Sequence, residues 1–397
     1  MTFSAGRKII FDMDGVITSE ERYWDAAALT AWELLFSVNY LGLKPLATLP
    51  PFKTVLSALE IALVRRAVFC EDKVISFFKQ QALNSNWDLA FLTFAFQFVS
   101  LLCDLASRGI FLNGGVEVWG AKGITAAKLS LIRSFLPPDE RDRWEPSFES
   151  VLGSWPQGAK GAGLAAKLCR LLPPRYAQIL GDCSSTSLSP LWKDVREIFQ
   201  QWYLGEQKFT EIFGRKAGAS GKEGLIYREE PIIEAPRLKE TLSRLKGLGW
   251  ELGIATGRPL SELLFPLERM EIRQYFHPGS VVTYDEVVKA ENALRGEFPN
   301  ISLGKPHPFP FLKAYWGEEK SDRQLAAPGP PLPQRRMCWV VGDAMADLLA
   351  AREAGACFIG VLTGQSGACN KEIFAREGAE VVLPDITFLP DFIAKYS

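Results

Sequence analysis

The chain has 397 residues, enough for two or three domains, and 47% of them are hydrophobic, enough to bury real cores. A formal net charge of −1 gives no electrostatic reason to expect a nucleic acid or a membrane surface as partner. Seven cysteines, odd in number and scattered, suit a reducing compartment such as the cytoplasm, and with only His277 and His307 and no Cys-x-x-Cys pair the chain argues against a zinc site of ordinary ligand spacing.

The first element is Lys8-Ile9-Ile10-Phe11, a short apolar run that reads as a buried strand and ends in Phe11-Asp12-Met13-Asp14-Gly15-Val16, where the chain turns. A cleavable leader placed here would remove Asp12 itself. From Ser19 to Glu234, over half the chain, the pattern is predominantly helical. The spacing predicts helices over Tyr23–Phe36, Thr54–Phe69, Lys73–Leu83, Leu89–Ala106, Ala126–Phe135 and Pro190–Tyr203. The uncharged run Leu89–Cys103 is shorter than the roughly 20 residues that span a bilayer and reads as a buried helix. Breaker-rich segments separate the helices at 43–52, 109–123, 137–146, 153–163 and 181–190. Arg22, Tyr23 and Trp24 stand either as substrate readers or as the first turn of a packed helix. Trp24, Trp32, Trp87, Trp119, Trp144 and Trp155 recur at helical spacing, which makes core more often than a ligand cage. The Gly214–Gly224 stretch is basic and glycine-rich, in keeping with a solvated loop or an arm over an anionic ligand. It fails the Gly-x-x-x-x-Gly-Lys-Ser/Thr pattern, because Lys216 stands where the first glycine must fall and Glu223 follows Lys222.

Trp250–Ala255 and Met337–Val341 read as two further buried strands. The first runs into Ile254-Ala255-Thr256-Gly257-Arg258-Pro259 and the second into Gly342-Asp343-Ala344-Met345-Ala346-Asp347, with Gly304-Lys305-Pro306 between them. Helical patterns over Leu260–Met270 and Ala346–Ala354 follow, so the alternation implies a parallel sheet with helices on its faces. Ala326–Pro333 reads as a stiff surface connection, and neither internal repeats nor heptads are evident. Three of the four motifs thus lie at carboxyl ends of strands, the edge at which open α/β sheets bind ligands.

Each motif alone is ordinary. Asp-x-Asp-Gly is commonly a solvated turn, Thr256 could cap a helix, Gly304-Lys305-Pro306 says little, and Gly342-Asp343 could be a capped turn. In this order they supply the parts of magnesium-dependent phosphoryl transfer: a carboxylate nucleophile, a hydroxyl for a phosphate oxygen, a lysine that offsets negative charge and an acidic pair for a metal. Several carboxylates around a phosphate dianion would repel it, so a divalent cation and a lysine are required, and Mg²⁺ suits oxygen-only ligands. His307 lies close enough to Lys305 to contact a phosphate, or is a semi-exposed loop residue.

On these motifs the chain resembles the haloacid dehalogenase superfamily, on its phosphate-ester branch, with phosphoglycolate phosphatase and β-phosphoglucomutase among similar members. The resemblance covers residues 6–18 and roughly 235–397. It implies a Rossmann-like α/β core, residues 1–18 and 235–397, with an enlarged all-helical cap, residues 19–234, inserted after the first strand. It further implies that Asp12 attacks phosphorus to form an aspartyl-phosphate, and that Asp14 protonates the leaving group and later activates water. Asp12, the Asp14 backbone carbonyl and Asp343 would ligate Mg²⁺, with Asp347 on a metal-bound water. Thr256 and the backbone at Gly257 would take a phosphate oxygen, and Lys305 would bridge nucleophile and phosphate. The implied function is hydrolysis of a small phosphorylated metabolite, the alternatives being a phosphomutase and a catalytically retired binding module. The retired module would have lost a core residue, whereas Asp12, Asp14, Thr256, Lys305, Asp343 and Asp347 are all retained. Ser19 stands where relatives commonly carry aspartate, which weakens any transfer of cap contacts.

Overall fold

The computed structural model describes residues 6–396 except 82, 84, 113–122, 154–162, 178, 182–188, 300, 328–331, 333, 365–366 and 368. The expected breaker segments at 109–123, 153–163 and 181–190, the connection at 326–333, and Trp119 and Trp155 lie wholly or partly outside the described residues. The chain divides into two compact units, one of residues 1–20 with 229–397 and one of residues 21–228.

In the first unit six strands form one sheet: β1 Lys8–Phe11, β2 Glu251–Ala255, β3 Phe276–Val282, β4 Cys338–Gly342, β5 Cys357–Val361 and β6 Val381–Leu383. Their order is β3-β2-β1-β4-β5-β6 with every pairing parallel, a Rossmann-like α/β architecture. Side chains alternate between faces, so Ile9, Phe11, Trp339 and Val341 enter one core with Leu238, Leu242, Leu263 and Leu389 from helices. Ile10, Val340 and Phe358 enter the opposite core with Phe311, Ala351 and Phe374. Burial on both faces is why β1 and β4 are continuous apolar runs rather than alternating ones. β3, by contrast, begins Phe276-His277-Pro278-Gly279 with three exposed positions, so no apolar run marks it in the sequence. The register sets the site: Phe11 lies opposite both Ile254 and Val341, which brings the residues that follow them out at one edge.

The second unit is helical. Its helix Glu21–Phe36 is buried at every residue from Tyr23 to Phe36, the mark of a central helix, and it packs against Ala58–Phe69, Asn86–Ser107 and Pro190–Phe213. Tyr23 stacks on Tyr203 at 4.2 Å, Trp24 lies under the Arg65 and Lys79 cations, and Arg22 pairs with Asp25 at 2.7 Å. These three candidate readers are therefore engaged in packing within their own unit. Trp32 and Trp87 are buried as well. The run expected from Thr54 starts only at Ala58, where Ser57 and Glu60 form a reciprocal cap. The helix expected to end at Tyr203 continues to Phe213 across a kink at Gly205, whose φ of 79° and 2.7 Å approach to the Glu223 backbone require glycine. Ala126–Phe135 is a 3-10 turn followed by a helix from Leu129. Pro138–Arg143 is a helix inside an expected breaker segment, because proline at the first turn starts a helix rather than ending one.

The Leu89–Cys103 run is a buried helix as read, but a longer one, the 22-residue Asn86–Ser107, which by length and composition could cross a membrane, with 78% of its apolar window buried inside the protein. One expectation needs revision. Lys222, read as part of a solvated loop, is buried against Glu33 at 2.7 Å. Among the described cysteines, Cys70, Cys103, Cys338 and Cys357 are free, whereas Cys169 is disulfide-bonded, which the odd, scattered count did not anticipate.

Candidate active site

The edge formed by the ends of β1, β2 and β4 gathers the motif residues. Asp12 leaves β1 with its N–H bonded to the Val341 carbonyl at 2.9 Å and its side-chain oxygen accepting from Met13 N–H at 2.7 Å. Lys305 Nζ stands 2.8 Å from Asp12 and 2.8 Å from Asp347. Asp347, in the first turn of the helix Met345–Ala354, also accepts from the Ala344 N–H at 3.2 Å, so both its oxygens are fixed. Thr256 extends from β2 with its N–H on the Val282 carbonyl, and its hydroxyl accepts from Arg258 N–H at 3.2 Å. It does not cap the following helix, which begins after Pro259. Gly257 is exposed, and a side chain there would meet nothing within 4 Å, so the space beside its backbone is open. His307 is half-buried, its Nδ1 accepts from the Phe309 N–H at 3.1 Å, and burial lowers its pKa; it acts as a turn residue.

Asp12, Asp343 and Asp347 each offer an oxygen within 4.8 Å of the others. Asp343 is shaped for this role by two glycines. A β-carbon on Gly15, whose φ is +74°, would fall 2.4 Å from its carboxylate, and one on Gly364 would fall 1.8 Å away. The charges do not balance locally. Burial, reinforced by Asp347 and Asp14, pushes the Asp12 carboxyl up to about 7 against the pull of Lys305. Burial also depresses Lys305, but Asp12 and Asp347 outweigh it and its pKa is raised. An all-oxygen cluster with more carboxylate than ammonium is the donor set of a hard divalent cation, and the residues fit Mg²⁺.

Asp14 lies apart from that oxygen cluster. Its carboxylate is gripped by Arg258, whose Nε reaches the two oxygens at 3.1 and 3.0 Å and whose Nη2 also bonds Oδ1.

A family model described as HAD-hydrolase-like matches residues 302–389, the stretch that carries Lys305, Asp343 and Asp347. The X-ray structure of a Northeast Structural Genomics Consortium target is 30% identical, with 98% of this chain and 99% of that chain covered and a TM-score of 0.75. The chain belongs to the haloacid dehalogenase superfamily. A protein described as a predicted phosphoglycolate phosphatase from Haemophilus somnus is 15% identical over 98% of this chain and 99% of that one, with a TM-score of 0.40. A hydrolase from Pseudomonas syringae is 14% identical over 98% and 99%, with a TM-score of 0.38. Superpositions that loose say nothing about substrate. No curated protein matches the chain.

The family model that matches the stretch carrying Lys305, Asp343 and Asp347 is that of a hydrolase. The site also recruits residues that motif spacing does not reveal. Arg258 lies inside the second motif, yet its role is set by Asp14, far away in sequence. Thr363 donates to the Gly15 carbonyl at 2.5 Å and Asn370 donates to the Asp343 carbonyl at 3.0 Å, so the loop after β5 buttresses both the first and fourth motifs. The apolar Cys357–Val361 strand running into Thr363-Gly364 was the available signal, since it repeats the strand-then-polar pattern of the other motifs.

Proposed function

We propose that this hydrolase is a Mg²⁺-dependent phosphatase that cleaves a small phosphorylated metabolite through an aspartyl-phosphate on Asp12. The observation that carries the proposal is the Asp12–Lys305–Asp347 bridge beside Asp343, with open space at Gly257. Asp12, Asp343 and Asp347, with the Asp14 carbonyl, would hold Mg²⁺. When bound, the metal would supply positive charge for phosphate and nucleophile.

Asp12 is the nucleophile because it ends β1 with its carboxylate held by Lys305 and the Met13 N–H, so its direction of attack is set before substrate arrives. Lys305 offsets the repulsion between carboxylate and phosphate dianion. The Thr256 hydroxyl and the Gly257 backbone take phosphate oxygens. Asp14 transfers a proton to the leaving oxygen and then takes one from water. Catalysis belongs to the sheet unit, with the helical unit as an enlarged cap that excludes water and reads the rest of the substrate. Among the described residues the free thiols Cys70, Cys103, Cys338 and Cys357 support a reducing, cytoplasmic location, and the Cys169 disulfide counts against it.

The test is a screen of the purified enzyme against phosphorylated metabolites, with inorganic phosphate and isomer formation measured separately. The expected result is phosphate release that chelation abolishes, Mg²⁺ restores and Ca²⁺, with its looser geometry, inhibits. Isomer without phosphate, or full activity after exhaustive chelation, would overturn the proposal.

A further inference from the structure

Arg258 is buried, at 2% exposure, and its guanidinium reaches Asp14, Thr18 and Glu229. Beyond its fork on Asp14, Nη2 donates to the Thr18 hydroxyl at 2.8 Å and Nη1 pairs with Glu229 at 2.9 Å. The Thr18 hydroxyl in turn stands 3.4 Å from Asp14 Oδ1. Thr18 and Glu229 are not arbitrary positions, because the chain leaves the sheet unit after Glu20 and rejoins it at Glu229. The two connecting segments pair with each other there: Ser19 N–H bonds the Glu230 carbonyl at 3.1 Å, Ile232 N–H bonds the Ile17 carbonyl at 3.0 Å, and Thr18 bridges Pro231. Arg269 adds a bond to the Glu229 carbonyl at 3.3 Å.

We propose that Arg258 is the positioning residue of the acid–base carboxylate, and that through Thr18 and Glu229 it ties the orientation of Asp14 to the two segments that carry the helical insertion. The inference rests on the phosphatase reading above. A carboxylate that serves two proton transfers must present an oxygen first to the leaving group and then to water, and an Asp side chain left to itself rotates among several orientations. A planar guanidinium with donors in a fixed fork restricts that rotation as a point charge cannot. Since the same rigid plane also holds Thr18 and Glu229, a displacement of either segment reaches Asp14 without any further element.

The experiment compares Arg258→Ala, Arg258→Lys and Asp14→Asn on an alkyl phosphate and on an aryl phosphate at saturating Mg²⁺. Misplacing a catalytic group by about 1 Å costs on the order of 10²-fold. Arg258→Ala should therefore lose about that factor in kcat on the alkyl ester with KM little changed, and much less in formation of the covalent adduct from the aryl ester, whose leaving group departs unprotonated. Added guanidinium should restore part of the alkyl rate to Arg258→Ala, and Arg258→Lys should not match wild type. Equal losses on both esters, or no guanidinium rescue, would overturn the proposal. Should Arg258→Ala not fold, Glu229→Gln makes the same comparison and should show a smaller, alkyl-selective loss; a loss shared by both esters refutes the link. If wild type and Asp14→Asn behave as expected while the Arg258 variants do not, the positioning role alone falls. If wild type hydrolyses neither ester, the phosphatase reading falls with it.

Discussion

Two lysines, one in each unit, are buried against carboxylates, and they differ in charge balance. Lys222 and Glu33, 0% and 1% exposed in their side chains, form a one-to-one pair at 2.7 Å. Trp202 donates to the same Glu33 oxygen at 2.7 Å, and the Lys222 ammonium lies 4.6 Å from the Trp202 ring centroid. Lys305 meets two carboxylates, Asp12 and Asp347, with Asp343 beside them. Burial pulls both ammonium groups down. At Lys222 the single glutamate does not compensate and the pKa is lowered, whereas at Lys305 two aspartates more than compensate and it is raised. A balanced buried pair pins one segment to another. An excess of carboxylate at a strand edge is a site that wants a cation.

The comparison breaks first at the nucleophile. Asp12→Asn should eliminate the covalent intermediate and reduce turnover by on the order of 10⁶-fold, the scale seen when a catalytic nucleophile is removed. Its fold should survive, because the substitution relieves carboxylate crowding rather than leaving a charge unpaired. Phosphate-release kinetics with mass spectrometry of the trapped protein check both halves, and residual adduct at residue 12 would contradict the assignment.

The balanced pair should respond in the opposite way. Lys222→Met strands Glu33 in the interior and should cost about 3–5 kcal/mol of stability, with kcat of the folded fraction unchanged. The double variant Lys222→Met, Glu33→Leu should regain most of that loss. Urea unfolding reads the difference. A cost below about 1 kcal/mol for the single change would mean that the pair is not a structural clip.

The smallest expected effect sharpens the geometry of the acidic cluster. Gly364→Ala places a methyl where Asp343 Oδ2 now lies, since the added carbon would sit 1.8 Å from it. Asp343 must shift, and changes to groups that orient metal ligands typically cost ~10–100-fold in affinity or activity. The expected signature is a raised Mg²⁺ requirement in titrated activity with near-normal thermal unfolding. An unchanged Mg²⁺ dependence would show that Asp343 is free to move without consequence.

Sequence by itself determined the parallel α/β core, because strands buried on both faces must be continuous apolar runs, and it located the polar residues that end them. It also placed most of the long helices, whose spacing is a local property. Hidden in the sequence were β3, where Pro278 and Gly279 mask the strand, the helix opened by Pro138, and the continuation of Pro190–Phe213 past Gly205. Each turns on a proline or glycine whose effect depends on where in an element it falls. Partner choice among charged groups was settled by tertiary structure alone. Asp14 and Arg258 are 244 residues apart and Lys222 and Glu33 are 189 apart, and no spacing rule says which cation a buried carboxylate will meet. The same holds for Gly364, whose missing side chain makes room for Asp343: only when two distant strand ends are brought side by side by the sheet does the need for that space arise.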